Sequence, residues 1–363
     1  MWAVDLSTID KHVLNEYCQI FLPKIRRHIK SIKFDDKNIH RIIPISTTYP
    51  NMCSLSITDI GIGGKYLSYL ELFKQLVSLE LHFDRQQCDE NIPNDVYSNL
   101  FRSNSQLQIL LLNNICITIN DKSIHPCFIK KLRIDLRSLY DLFILLNNLP
   151  SIEYVNVGIR NVIERHNDKN FKKFSSLSRL KEFIFFTIQI VNYRSLELLL
   201  SQCSALEHLS LDLDSTQFID GYRLETKLLA KLSKLKRFHF CLRILNPYLM
   251  NIDNYVETFK SSYWLNHPIL CFKIVLRRSY YCVFSLPFAF HHFLSLSSNI
   301  TNYRSNIDDI SICSKQNKLK EIGLYDTYEP FSLGTFQFIK QTFPLNVDLE
   351  DIKSLFPNAK IMQ

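Results

Sequence analysis

The sequence predicts an α/β fold built as an array, with short strands side by side in parallel and helices in the connections between them. Three observations carry this. The 363 residues are 46% hydrophobic and 21% charged, the balance of a folded chain. One spacing of apolar residues (apolar, two residues, apolar, one residue, apolar) returns along the chain. Several of the gaps between copies carry the three-and-four periodicity of an amphipathic helix.

The copies run in order. They are Ile29, Ile32, Phe34; Met52, Leu55, Ile57; Leu76, Leu79, Leu81; Leu107, Leu110, Leu112; Ile129, Leu132, Ile134; Ile152, Val155, Val157; Leu180, Phe183, Phe185; Leu206, Leu209, Leu211; and Leu235, Phe238, Phe240. Weaker copies start at Ile269 and Leu319. First positions are separated by 23, 24, 31, 22, 23, 28, 26, 29, 34 and 50 residues. Most of these intervals suit one strand and its return connection. Each copy reads as a half-buried strand, most plainly LEHLSLDLD at Leu206–Asp214, where leucines alternate with polar residues. Helical periodicity precedes two strands, in SLYDLFILLNNLPSI and YRSLELLLSQCSAL. Ser138 with Asp141 forms a capping-box pattern at the first of these helices, and Pro150 closes it.

A single strand-helix unit cannot bury its own apolar faces, so such units stack. The expected organisation is a helical cap over residues 1–28, an array over 29–325 and a second helical cap over 326–363. Ile9, Val13 and Phe21 are expected to pack on the first strand. The competing fold is a pair of doubly wound α/β domains, which uses the same alternation.

LEHLSLDLD, LVSLELHFD and LQILLLNN resemble leucine-rich repeats. The irregular, asparagine-poor pattern over residues 28–325 resembles the repeat region of F-box/leucine-rich-repeat proteins. DKHVLNEYCQIFLPKIRRHIKSIKF and VFSLPFAFHHF are similar to segments of such proteins. The resemblance implies a leucine-rich-repeat solenoid with a parallel concave sheet and convex helices, and a ubiquitin-ligase substrate-recognition role. Two departures stand out. The family's asparagine would fall at Asp84, Ile115, Ile188 and Asp214. No Leu-Pro-x-Glu helix pattern of an F-box precedes the first repeat, so a cullin-ligase adaptor is expected as a partner only through an F-box elsewhere.

Chemistry is not signalled. In GIGGK, Gly61, Gly63, Gly64 and Lys65 lack the spacing of a phosphate loop, and Tyr66 stands where Ser or Thr is needed. Cys271, Cys282, His291 and His292 lack the close pair of a zinc site. There is no G-x-S-x-G elbow. No enzyme activity, cofactor or metal is therefore expected. The ten cysteines are scattered behind an N-terminus without a signal-peptide pattern, which places the chain in the cytoplasm or nucleus with free thiols. The uncharged run Ser279–Tyr303 is broken by Pro287 and two histidines, so no membrane partner is expected.

What remains is the strand face opposite the core. The candidate partner-binding residues are Lys131, Arg133, Tyr154, Arg160, Ile184, Phe186, Ile188, His208, Asp212, Arg237 and His239. Apolar residues in line at 184, 186 and 188, flanked by charge, suit a protein partner. The second reading is nucleic-acid binding through Lys131, Arg133, Arg137, Arg160, Arg237 and Arg243. The interleaved Asp135, Glu182, Asp212 and Asp214 argue against it, and the net charge of +8 is modest for the length.

Overall fold

Residues 2–38, 42, 49–61, 75–84, 106–119, 127–160, 177–245, 251–274, 280–290, 292–297, 300–307 and 321–325 are described by a computed structural model. The chain is a mixed α/β fold, dominated by parallel strands, that separates into two units. Unit 1 holds Met1–Gln189 and Gln202–Leu206; unit 2 holds Ile190–Ser201 and Glu207–Gln363.

In unit 1 the strands are β1 (Trp2–Asp5), β2 (Ile29–Asp35), β3 (Ser54–Ile60), β4 (Ser78–Phe83), β5 (Ile109–Ile117), β6 (Lys131–Leu136), β7 (Tyr154–Ile159) and β8 (Glu182–Ile190). Each pairs in parallel with the next, so spatial order follows chain order. The register aligns the second position of every copy, with Ile32, Leu55, Leu79, Leu110, Leu132, Val155 and Phe183 in one row across β2 to β8. All seven are buried. Slipping any strand by one residue would turn its apolar set outward, at about 1.5–3 kcal/mol per side chain. The alternation therefore fixes the register.

The connection from β6 to β7 is the helix Leu139–Asn147. Its capping box is formed, with Asp141 N–H donating to Ser138 Oγ (3.1 Å) and Ser138 N–H donating to Asp141 Oδ2 (2.9 Å). Asp141 also accepts from Ile119 N–H (3.0 Å), which ties the helix start to the segment leaving β5. Leu142, Leu145 and Leu146 are its fully buried residues.

Two strands carry irregularities that spacing alone does not reveal. Between Leu111↔Arg133 and Cys116↔Asp135, β5 advances five residues while β6 advances two. Asn114 sits in this bulge at φ 62° and donates from Nδ2 to the Phe83 carbonyl (3.2 Å), which anchors the bulge to β4. A smaller bulge in β3 places Asp59 at φ 53°.

Residues 1–28 correct the expectation in two ways. The segment opens with strand β1, and its helical part changes type along its length: α at Lys11–Glu16, π at Tyr17–Phe21, α at Leu22–Ile25 and 3-10 at Arg26–His28. The buried residues are Leu6, Leu14, Cys18 and Leu22, whereas Val13 and Phe21 are 57% and 51% exposed. Leu14, Cys18 and Leu22 are four apart and share one face, which leaves Val13 and Phe21 on another.

In unit 2, β9 (His208–Ser215) and β10 (Arg237–Leu245) are parallel. The copies again align, Leu209 with Phe238 and Leu211 with Phe240. Beyond β10 the pattern breaks. β11 (Ile269–Ile274) does not continue the parallel ladder, as the copy at Ile269 suggested; it pairs antiparallel with β12 (Tyr280–Ser285), which itself lies antiparallel to β10. The reason is connection length. Residues 275–279 link β11 to β12, too few for a parallel crossover, which needs a dozen or more. β14 (Ile300–Ser305) adds antiparallel to β11, and β13 (His292–Ser297) pairs in parallel with β15 (Glu321–Tyr325).

Among the described residues, helices of regular α form are fewer than one per strand. Among the described residues only Leu139–Asn147 and Tyr193–Leu200 are regular α-helices of eight residues or more. The second is capped by Asn192, whose side chain accepts from the backbone of Arg194 and Ser195. The β9–β10 connection has only short turns: α at Gly221–Arg223, π at Leu224–Leu228 and 3-10 at Leu229–Lys231. The core of unit 2 is aromatic. Trp264 meets Phe240 edge-on at 5.8 Å and Phe259 at 4.9 Å, while Tyr255 stacks on Tyr281 at 5.5 Å. Their polar ends are satisfied, with Tyr255 donating to the Ile219 carbonyl (2.6 Å) and Trp264 Nε1–H to that of Gly221 (3.1 Å). Among the described residues, no helix is long and apolar enough to cross a membrane.

Candidate protein-binding face

Pairing across β6, β7 and β8 arranges the residues opposite the core in three rows: Lys131, Tyr154, Glu182; Arg133, Asn156, Ile184; and Asp135, Gly158, Phe186. Six of the eleven candidates, Lys131, Arg133, Tyr154, Arg160, Ile184 and Phe186, come together on these strands or at their ends. The side chain of Ile188 lies outside the described residues.

Gly158 organises the third row. A Cβ at this position would stand 2.3 Å from Cζ of Phe186 and 2.4 Å from Oδ1 of Asp135, so the Phe186 ring occupies the space that a side chain on β7 would fill. Arg160 lies over the ring, 5.6 Å from its centroid, and its Nε–H donates to Asp135 Oδ2 at 2.8 Å. Phe186 is therefore half-buried and held between a glycine and a guanidinium. Burial raises the Asp135 carboxyl above its ordinary value, and the Arg160 charge draws it partly back. Burial also pushes the Cys116 thiol, beside Asp135 in register, up to about 12.

The first row is wetter. Lys131 is exposed, with its Nζ 4.9 Å over the Tyr154 ring. Partial burial raises the Tyr154 hydroxyl, against a lowering hydrogen bond from Asn156. Arg133 is exposed and Ile184 half-buried. The face thus offers apolar surface from Tyr154, Ile184 and Phe186 beside the cations of Lys131 and Arg133.

Unit 2 carries His208, Asp212, Arg237 and His239. Register places Arg237 beside His208, His239 beside Ser210, Cys241 beside Asp212 and Arg243 beside Asp214. Arg237 is exposed and both histidines are half-buried. Asp212, expected to line an open surface, is half-buried and belongs instead to an ion cluster around the buried Arg243. Nη1 of Arg243 lies 2.7 Å from Asp212 Oδ1, and its Nε–H donates to Asp214 Oδ1. Arg243 is 7% exposed, which removes it from any set of phosphate-binding cations. The physical reason is β12, which sets Phe284 beside Cys241 and Cys282 beside Arg243. Phe284 is in turn covered edge-on by Phe272 (6.1 Å) and Phe288 (5.3 Å). Burial works against the Arg243 charge, but the nearby carboxylates outweigh it and hold the guanidinium charged, while burial raises Asp212.

Alternation had already set Asp135 and Asn156 on this face; what sequence reasoning missed is Gly158. One signal was available for Gly158, since glycine inside a strand marks the close approach of another group. Register also bears on the cysteine-histidine set. Cys271 pairs with Val283 and Phe272 with Cys282, so the two thiols point to opposite sides of the sheet. His291 and the His292 side chain lie outside the described residues, as do residues 62–65 of GIGGK. Gly61 follows β3, and its N–H donates to Asp36 Oδ2 (3.4 Å).

No protein-family model matches the chain, and no curated protein does.

Proposed function

We propose that this chain is a non-catalytic protein-binding module of the leucine-rich-repeat type, with the face of β6 to β8 as its recognition surface. One observation carries the reading: Phe186 is half-exposed yet held in place by Gly158 beneath it and Arg160 over it. A side chain already ordered in the free protein costs little further entropy on binding, and aromatic anchors of this kind dominate interface energetics. Lys131 and Arg133 would steer an acidic partner toward it. By its resemblance the chain is a substrate-recognition protein of a ubiquitin ligase, or a relative that only binds, working in the cytoplasm or nucleus. It reaches a cullin-ligase adaptor only through an F-box supplied elsewhere. Nucleic-acid binding is the weaker reading, because Arg160 and Arg243, two of its six cations, already engage carboxylates.

The test is capture of partners by the immobilised chain, followed by affinity measurement with Phe186→Ala and Arg133→Glu proteins. Phe186→Ala should weaken binding by about 2 kcal/mol, mainly through faster dissociation. Arg133→Glu should slow association, and the effect should shrink in high salt. Partners that bind both variants as well as the parent would remove the reading. Tight, salt-sensitive binding of random RNA would favour the alternative.

A further inference from the structure

The N-terminal end of unit 1 carries a second surface, separate from β6 to β8. Ten large apolar side chains are exposed among the described residues, and four of them fall within the first 21: Trp2 (53%), Val13 (57%), Ile20 (44%) and Phe21 (51%). Tyr17, half-buried, stacks on Phe21 at 5.8 Å. Val13, Tyr17, Ile20 and Lys24 recur at intervals of four, three and four, the spacing of a helix-packing seam. A neighbouring side of the same helical segment buries Leu14, Cys18 and Leu22. The segment is thus apolar on two faces, one of which is covered.

Charge indicates what suits the other. Asp10 and Glu16, with Lys11 between them in sequence, leave the start of the segment net acidic, while Lys24, Arg26, Arg27 and Lys30 make its end strongly basic. From Tyr17 to Phe34 there is no Asp or Glu. Asp10 and Arg27 stand at opposite ends of this helical segment. A surface with acid at one end, base at the other and apolar residues between complements a copy of itself turned end for end. Strand β1 adds a second element, because it pairs only with β2 among the described residues and so presents one backbone edge. An exposed edge is a template for another chain.

We infer that this end of the molecule is a self-association surface whose occupant is a second copy of the chain, related by a two-fold axis that sets the helical segments antiparallel. With the axis passing at the level of Cys18 and Gln19, Tyr17 of one copy faces Ile20 of the other. Glu16 then lies beside Phe21 and within reach of Lys24, and Asp10 is level with Arg27. A two-fold contact uses the same patch twice, so each complementary charge is satisfied at both ends. Trp2, aligned with Ile29 at the start of β1, is a further exposed aromatic residue in the N-terminal segment. A patch of one helical segment and a four-residue strand is small for a permanent dimer, so the association is concentration-dependent, with a dissociation constant on the order of micromolar.

Sedimentation velocity of the full chain over a hundredfold concentration range tests this. The average mass should rise from monomer toward dimer. Phe21→Glu should hold the protein monomeric without changing its melting temperature, because that side chain lies outside the core. Lys24→Glu should weaken association about tenfold, and mixing it with Glu16→Lys protein should restore a heterodimer. A parent chain that stays monomeric throughout would overturn the inference. So would a dimer indifferent to Phe21→Glu, or binding to phosphatidylserine vesicles without self-association. None of these outcomes bears on partner binding through Phe186, so the two surfaces are tested independently.

Discussion

Unit 1 and unit 2 each place an arginine-carboxylate contact on the strand face opposite the core, and each treats it differently. In unit 1 the side chain of Arg160 is 43% exposed while Asp135 is 12% exposed. In unit 2 the Arg243 side chain is 9% exposed, with those of Asp212 at 16% and Asp214 at 21%. The strands are parallel and the pairs sit at comparable places, so the difference lies in the neighbours. Beside Asp135, β7 offers Gly158, and a single Phe186 ring leans across it. Beside Arg243, β12 brings a full strand with Phe284, backed by Phe272 and Phe288. A charged pair on a sheet face becomes surface or core according to the bulk of the next strand, and the pair itself does not decide.

The largest expected effect that sharpens this contrast is at Arg243. Arg243→Ala leaves two carboxylates without their cation in a covered site and should cost about 3–5 kcal/mol in urea denaturation. Arg160→Ala, at a half-exposed pair, should cost about 1 kcal/mol or less. Equal losses would break the comparison. Next in size is Gly158→Ala. The new methyl falls on the Phe186 ring and the Asp135 carboxylate, so the ring must leave its place, at about 1–3 kcal/mol. The signature is a lost upfield shift of the Arg160 side-chain protons in NMR; a retained shift would show that the ring does not depend on the glycine.

The smallest effect concerns pH. Asp135 and Asp212 both sit above the ordinary value of 3.8, with burial as the first cause. The native state therefore keeps these protons to higher pH than the unfolded chain does. Their contribution to stability is complete below 3.8 and is lost as pH rises through their raised values. Asp212→Asn should flatten this part of the melting temperature against pH curve, and Asp135→Asn should flatten it less. Identical curves for parent and both variants would mean that neither carboxyl titrates there.

Much of the strand ladder was legible because it rests on a local rule. Alternation of apolar and polar residues sets which side chains turn inward, and the row from Ile32 to Phe183 follows from spacing alone. The Ser138 capping box was legible for the same reason, since its partners are three residues apart. What escaped depends on distant contacts. The Ile269 copy has the apolar spacing of its predecessors, yet a five-residue link to β12 forces a hairpin. Arg243 looks like any outward residue of its strand until β12 covers it. On the candidate face, Phe186 was found as an apolar residue out of place, but its fixed position depends on Gly158 and Arg160, which reach it only through strand pairing. Val13 and Phe21 were assigned to the core because apolar residues usually go there, and here Leu14, Cys18 and Leu22 had already filled it.

The parallel order of β2 to β8 also bears on how such a chain can lengthen. Because, among the described residues, each of β2 to β7 pairs with its predecessor and its successor, copying one stretch of strand plus connection within unit 1 would give the copy the same two kinds of neighbour. After β10 this freedom ends. β12 lies between β10 and β11, so a copied segment there would separate strands that are joined through a five-residue link. Gene duplication can therefore extend unit 1 in whole units, whereas the antiparallel part of unit 2 does not admit a copied segment. Differences in length between chains of this kind should accumulate ahead of β10 and not behind it.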